Sequence, residues 1–226
     1  MLFVLVPLSF ASYFGIMGIA ALLYPESYDW RFNSMSRLLY AQDNPEFHHS
    51  ASISVAVSGV LMIPFAGYIR RRLHGIAPAA ATIGAVVFFA GCICLTLAGL
   101  ITSHPAHGIS RFPRLHDNLA RLSGVSIGVG MVVFNACGTK GYFRPKPGKP
   151  LPRRSLLVSW NLLTLPLVLM VVAWLVSRTL KQSGPTYHAI VTSAAWQIGF
   201  WEWIGAPVIF LFLVCGVLFL PENTSE

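Results

Sequence analysis

Charge is scarce in this sequence, and its scarcity excludes a water-soluble fold. Only 11% of the residues are charged, 55% are hydrophobic, and the mean hydropathy is +0.64. A soluble globular domain carries about 25% charged residues, because its surface needs polar groups that water can solvate. Lipid must therefore be the solvent for most of this chain.

Acidic residues are missing from two of the loops between the hydrophobic stretches, and this absence predicts the orientation. Positive charge in short loops is retained on the cytoplasmic side during insertion. We therefore place the two purely basic loops, and with them both termini, in the cytoplasm. Their basic residues are Arg70, Arg71, Arg72, Lys140, Arg144, Lys146, Lys149, Arg153 and Arg154.

The opposite loops mix basic residues with acids, as expected of the outer side. Their acidic residues are Glu26, Asp29, Asp43, Glu46, Asp117 and Glu202. Nucleic acid is excluded as a partner, because the basic loops are short and offer only Tyr142 and Phe143 for stacking on bases.

Cysteine is also scarce, and all four residues fall inside hydrophobic stretches. A disulfide framework would place its cysteines in the loops of a secreted domain. Buried thiols in lipid act as small apolar groups, so we expect no structural disulfide. The cysteines are Cys92, Cys94, Cys137 and Cys215.

Long hydrophobic runs are abundant. A bilayer core needs about 20 consecutive apolar residues per helix, and the sequence contains about six such runs. The predicted fold is an all-α, polytopic transmembrane bundle in the plasma or inner membrane, forming a single domain. The predicted spans lie near residues 2–24, 50–69, 76–102, 118–138, 155–177 and 203–220. The fourth is short and rich in glycine, and its apolar part starts only near Leu122.

Three outer loops follow from this topology, at residues 25–49, 103–117 and 178–202, and we expect them to form a cap. The first is too aromatic for a floppy linker. Its pattern predicts a short amphipathic helix across the mouth of the bundle. In that helix Trp30, Phe32 and Met35 would face protein or lipid.

Six of the seven histidines lie on the predicted outer side, and only His74 lies on the cytoplasmic side. Histidine is the commonest metal ligand and a general acid or base near neutral pH. One hypothesis is a zinc site held by His104, His107 and His116. A bound water would then be activated by a nearby carboxylate, and the candidates are Asp29, Asp117 and Glu202.

Structural roles for the same residues stay open. Asp117 or Asn118 makes a good helix N-cap, and His116 beside them suits the headgroup layer. Glu202 stands among tryptophans that suit an interfacial belt. A carboxylate beside the bilayer is costly unless it is paired.

Polar and small residues inside the spans predict helix contacts. Asn135 and Asn161 each need a hydrogen-bond partner in hydrocarbon, so each should face another helix. Gly124 and Gly128 have the G-x-x-x-G spacing that allows close helix packing, with Gly130 nearby. We expect a tight packing face inside the bundle, with a dimer interface as the alternative.

The order of these features resembles the bacterial and archaeal membrane family known as domain of unknown function nine-nine-eight. The resemblance covers residues 1–220 and implies the helical membrane fold, but it brings no established activity. Where members often carry a second histidine one turn after the first, this chain has Ala120. The matching elements are Tyr28-Asp29, Ser36-Arg37-Leu38, Asn44-Pro45, Thr102-Ser103-His104-Pro105 and Leu115-His116-Asp117-Asn118.

Three functions remain open at this level. The first is a non-catalytic role, as a lipid-binding or accessory subunit of a membrane assembly, with membrane lipids and other membrane subunits as partners. The second is a zinc-assisted hydrolase or lipid-modifying enzyme that works at the outer face. The third is a small-solute transporter, which would need ionisable residues inside the spans, and these spans have almost none.

Overall fold

The fold is a bundle of α-helices, as the hydrophobic runs predict. A computed structural model describes residues 2–101, 115–143, 154–179, 184, 188, 192–193 and 197–220. In this part of the chain all regular structure is helical. The first helix, α1, consists of Leu2–Phe10, a π-helical turn at Ala11–Gly15, and Ile16–Leu22. The others are α2 (His48–His74), α3 (Pro78–Leu100), α4 (Leu115–Phe143), α5 (Arg154–Thr179) and α6 (Ile198–Phe219).

Each of the six helices is long and apolar enough to cross a membrane. Helices suit this solvent because their backbone groups bond within the segment and leave nothing for lipid to solvate. Their surfaces carry large exposed hydrophobic side chains, among them Val86 at 61% and Leu162 at 63% exposure. In water this surface would cause aggregation, whereas in lipid it is the normal outer face of a bundle.

Helix α4 differs most from its predicted span. It begins at Leu115 and ends at Phe143, so it includes polar residues that the hydropathy profile places in a loop. The extension is possible because His116 and Asp117 both find hydrogen-bond partners in neighbouring segments. Polar residues can continue a membrane helix where protein groups satisfy them.

Helices α2, α3 and α4 form the tightest part of the bundle, and glycines make their close approach possible. A Cβ atom added at Gly59 would lie 2.9 Å from the Cys92 carbonyl oxygen, and one at Gly99 would lie 2.6 Å from the Ala56 nitrogen. On the other face of α3, a Cβ at Gly91 would lie 2.9 Å from the backbone nitrogen of Ile127. Only hydrogen fits at these three positions.

The predicted packing face at Gly124 and Gly128 is wrong. A Cβ at Gly124 would meet nothing within 4 Å, and one at Gly128 would make only an ordinary contact with Leu167. The nearby Gly130 is the tightly packed one, with Phe88 Cβ at 2.8 Å from its added Cβ. Spacing alone does not tell which helix face meets a neighbour.

Helices α5 and α6 are joined by a buried aromatic pair. The rings of Trp160 and Phe212 stack with their centroids 4.5 Å apart, and the indole Nε1 donates to the Phe212 carbonyl at 3.0 Å.

The prediction for the asparagines is confirmed, because Asn135 Nδ2 on α4 donates to Asn161 Oδ1 on α5 at 3.2 Å. The four cysteines lie in α3, α4 and α6 and are free thiols.

Candidate functional site

The segment between α1 and α2, residues 23–47, is here called the first connection. Instead of the predicted amphipathic helix it forms turns and a 3₁₀-helix at Met35–Leu39. Met35 is buried, whereas Trp30 and Phe32 stay exposed. The first connection, the start of α4 and the start of α6 meet at one end of the bundle, the histidine-rich end. The opposite end, with Arg70, is the arginine-rich end.

Glu202 ties the first connection to α6. Its Oε2 accepts a hydrogen bond from the backbone N–H of Met35 at 2.6 Å, across 167 positions of the chain. This distance is at the short end of the range for an N–H donor and an oxygen acceptor. The carboxylate is partly buried, so this bond also gives it the partner that the bilayer boundary demands. Glu202 therefore has a structural role at the position predicted for a catalytic base.

Tyr28 makes the second tie between the same two segments. Its hydroxyl accepts a hydrogen bond from Trp203 Nε1 at 3.0 Å and faces the carbonyl oxygens of Asn33 and Ser34 at 3.1 and 3.0 Å. Burial raises the pKa of Tyr28 above its usual range, and the nearby Glu202 charge acts in the same direction. The phenol is thus protonated at physiological pH and can donate to either carbonyl. Through these bonds Tyr28 fixes the backbone of the first connection to the start of α6.

Replacing Tyr28 with phenylalanine is expected to lower the free energy of unfolding by about 1–3 kcal/mol, because the partly buried Trp203 N–H loses its acceptor. Thermal unfolding of the purified protein in detergent measures the change. Tyr24→Phe is the matched control, since its hydroxyl makes no hydrogen bond among the described residues. Equal midpoints for the two variants would contradict this role of Tyr28.

Asp29 lies at the surface and pairs with its own neighbour. Its carboxylate accepts from Arg31 Nε at 2.9 Å, from Arg31 Nη2 at 2.8 Å and from the Arg31 backbone nitrogen at 3.0 Å. These bonds hold the pKa of Asp29 below its usual range. This keeps the carboxylate charged, but it is bound to Arg31 within the first connection.

His116 and Asp117 are held by the helix ends around them. His116 is 1% exposed, and its Nδ1 lies 2.8 Å from the Ala98 carbonyl oxygen at the end of α3. Asp117 Oδ1 accepts from the Tyr40 hydroxyl at 3.1 Å, and the Tyr40 ring packs edge-on against the imidazole at 5.6 Å between centroids. Thus two predicted site residues anchor α4 to the first connection and to α3.

The geometry at His116 fixes its tautomer. A carbonyl oxygen can only accept, so Nδ1 carries the proton, and in the neutral ring Nε2 is then an acceptor. Nε2 is buried and finds no hydrogen-bond partner in the part of the chain that the structure describes. The same holds for Asn44 Oδ1 and Ser52 Oγ. The other two predicted zinc ligands, His104 and His107, lie outside the described residues.

Within residues 2–101, 115–143, 154–179 and 197–220, no three His, Cys, Asp or Glu side chains are grouped so that they could hold a metal ion. Three predicted acids have separate partners instead of a common one. Asp29 binds Arg31, Asp117 binds Tyr40 and Glu202 binds the Met35 backbone.

A different concave surface lies between α2 and α3, towards the arginine-rich end. It is a groove of about 680 Å³ with mostly apolar walls. Arg70 and Arg71 line it beside Thr82, and the Arg70 Nε donates to the Thr82 hydroxyl at 3.2 Å. The apolar wall includes Ile63, Pro64, Gly67, Val86 and Phe89. In the sequence these arginines indicate orientation and a general attraction to anionic lipid headgroups, but not a groove.

Tyr28, Tyr40 and Trp203 join segments that are far apart in the sequence. Their partners lie 175, 77 and 175 positions away, so no local pattern indicates the pairing. Comparisons with models of known protein families, with curated proteins and with solved structures find no match.

Proposed function

We propose that this chain is a non-catalytic, lipid-binding membrane protein, an accessory component of a membrane assembly in the plasma or inner membrane. Both termini lie in the cytoplasm, so the histidine-rich end faces outward. The first connection is a structural cap over the bundle on that side. The partners of the protein are membrane lipids and other membrane subunits.

The groove between α2 and α3 is the observation that carries this proposal. Its volume of about 680 Å³ lies within the range of about 300–1,000 Å³ of small-molecule sites. Ligand sites are mostly apolar with a few polar groups that fix orientation. A phospholipid has this division, with hydrocarbon for the apolar wall and a phosphate for the arginines.

The bonds at the histidine-rich end support the non-catalytic part of the proposal. A general base must reach the proton it removes, either directly or through one water. Glu202 is bound to the backbone of Met35 and Asp117 to Tyr40, so each of these acids already has a partner that ties its helix to the first connection.

Native mass spectrometry of the full chain purified in a mild detergent tests the function. We expect a phospholipid to stay bound at about one molecule per chain, since its phosphate can bind the arginines while its hydrocarbon packs against the apolar wall of the groove. A folded protein that retains no phospholipid, and takes up none when a lipid extract is added, would overturn the proposal.

Zinc-assisted hydrolysis or lipid modification is the second candidate, and one observation favours it. Histidines that bind metals usually donate the second ring nitrogen to a carbonyl or carboxylate, which orients the first. His116 has this arrangement through Ala98. Metal analysis of the same sample decides: stoichiometric zinc that is lost in His104→Ala/His116→Ala favours the enzyme, and its absence favours the accessory role.

A further inference from the structure

We propose that the groove between α2 and α3 binds one phospholipid with a net negative headgroup, whose phosphate contacts Arg70 and Arg71. This inference rests on the proposed lipid-binding function and adds the site and the headgroup class. It concerns the leaflet at the arginine-rich end, which the basic loops place on the cytoplasmic side.

The shape of the groove suits an acyl chain that enters from the interface. Along α2 it extends from Arg70 to Ile63, which is about 10 Å at the helical rise, and along α3 from Thr82 to Phe89. The two helices run in opposite directions, so the end of α2 with Arg70 lies beside the start of α3 with Thr82. Val86 and Phe89 are 61% and 44% exposed and would flank the chain.

Gly67 keeps the groove open, because it has no side chain to fill it. This residue is exposed, and a Cβ atom added to it would meet nothing within 4 Å. The glycine therefore does not serve a close helix contact, unlike Gly59 and Gly99 on the α2–α3 interface. It leaves open space along the surface of α2, at the level between Pro64 and Arg70.

Arg70 is oriented by the protein. Its Nε donates to Thr82 Oγ1 at 3.2 Å, which bridges the two helices and leaves the terminal nitrogens of the guanidinium for a second acceptor. An arginine presents its donors in a rigid fork that matches the oxygens of a phosphate. Arg71 lines the same groove and adds a second positive charge.

The charge balance argues for a net negative headgroup. No acidic residue occurs anywhere between Glu46 and Asp117, so α2, α3 and their connection offer only positive charge. A zwitterionic headgroup places its own positive group beside these arginines, whereas a headgroup such as that of phosphatidylglycerol carries only negative charge. Each basic residue near the surface favours anionic lipid.

Two variants, each with a control, separate binding of the lipid headgroup from binding of the acyl chain. Arg70→Gln/Arg71→Gln removes the charges at the groove. Arg72→Gln is its control, because Arg72 lies over the Tyr68 ring at 5.1 Å and not in the groove. Gly67→Phe fills the apolar part. Gly124→Phe is its control, since Gly124 also has open space around it and lies on α4.

The full chain in detergent is delipidated and then titrated with phosphatidylglycerol or phosphatidylcholine, with binding counted by native mass spectrometry. The wild type should prefer phosphatidylglycerol, and the double arginine variant should weaken its binding by about 30-fold. Binding of phosphatidylcholine should weaken less, because its choline already offsets the charge of its phosphate. Gly67→Phe should abolish retention of both lipids. Gly124→Phe should behave as the wild type does, and Arg72→Gln should bind phosphatidylglycerol far better than the double arginine variant.

The outcomes distinguish this inference from the proposed function. A wild type that binds neither lipid overturns both. A wild type that binds lipid, while the arginine and Gly67 variants bind it equally well, overturns the groove and leaves the lipid-binding function. Thermal unfolding of each variant shows that it is folded, and a misfolded Gly67→Phe is replaced by the smaller Gly67→Leu.

Discussion

Replacing Gly99 with leucine is expected to destabilise the protein by about 3 kcal/mol, at the upper end for overpacking in a well-packed core. The added Cβ atom alone would come within 2.6 Å of the Ala56 nitrogen and 2.7 Å of the Ser52 carbonyl oxygen. Both of these atoms belong to the backbone of α2. A rotamer change cannot relieve the clash, so α3 must move away from α2.

The separation would have consequences at the histidine-rich end. Ala98, the neighbour of Gly99, supplies the carbonyl that holds His116. A displaced α3 should therefore loosen the start of α4 as well. Gly99→Ala should lie between the wild type and Gly99→Leu in stability, because it adds the clashing Cβ without the larger side chain.

Thermal or denaturant unfolding of the detergent-solubilised protein measures this effect. Gly124→Leu is the matched control, because a Cβ at Gly124 meets nothing within 4 Å. It should unfold as the wild type does. A Gly99→Leu protein with an unchanged midpoint would mean that α2 and α3 do not approach as closely as their backbones indicate.

The helical membrane fold could be predicted from the sequence because the solvent dictates it. A bilayer accepts only segments whose backbone groups bond internally, and six such segments can be recognised by length and hydropathy. The start of α4 could not be predicted in this way. It depends on partners for His116 and Asp117 that only the folded bundle supplies.

The closest helix contacts could not be predicted from the sequence for a different reason. The paired spacing of Gly124 and Gly128 predicts a packing face, but close packing also needs the right rotation of the helix. Gly91 and Gly99 on α3 have that rotation and face α4 and α2 respectively. Their roles depend on which neighbours α3 has, and a single sequence does not contain that information.

At the histidine-rich end the sequence identifies chemically capable residues but not their partners. Glu202 stood out as a carboxylate beside the bilayer that needs a partner. Its partner is a backbone N–H 167 positions away, and backbone groups carry no sequence signal. At the arginine-rich end the sequence shows the charges but not the groove, because the position of Arg70 and Arg71 beside Thr82 depends on how α2 packs against α3.

Trp160→Ala is expected to lower the free energy of unfolding by about 3 kcal/mol, the lower end of the range for removing a buried tryptophan. The lower end applies because lipid is as apolar as the bundle interior, so the loss is one of packing and not of transfer from water. Trp160 is fully buried and stacks on Phe212. Its ring also fills the space left by Gly138 on α4 and Gly216 on α6.

Trp160→Phe separates packing from hydrogen bonding. It keeps a ring for stacking but loses the 3.0 Å bond from the indole to the Phe212 carbonyl, so a loss of about 1 kcal/mol is expected. Val158→Ala is the control on the same helix, because Val158 is 52% exposed and a surface change should stay within about 0.5 kcal/mol. The order of stability should be Val158→Ala, then Trp160→Phe, then Trp160→Ala.

The same series tests how α5 and α6 are attached to the other four helices. Since one indole contacts α4 and α6 from its position on α5, its removal should weaken both attachments at once. Limited proteolysis should then cut Trp160→Ala between α4 and α5 faster than the wild type, while Val158→Ala is cut at the wild-type rate. If Trp160→Ala and Val158→Ala unfold at the same midpoint and are cut equally fast, other contacts must join α5 and α6 to the bundle.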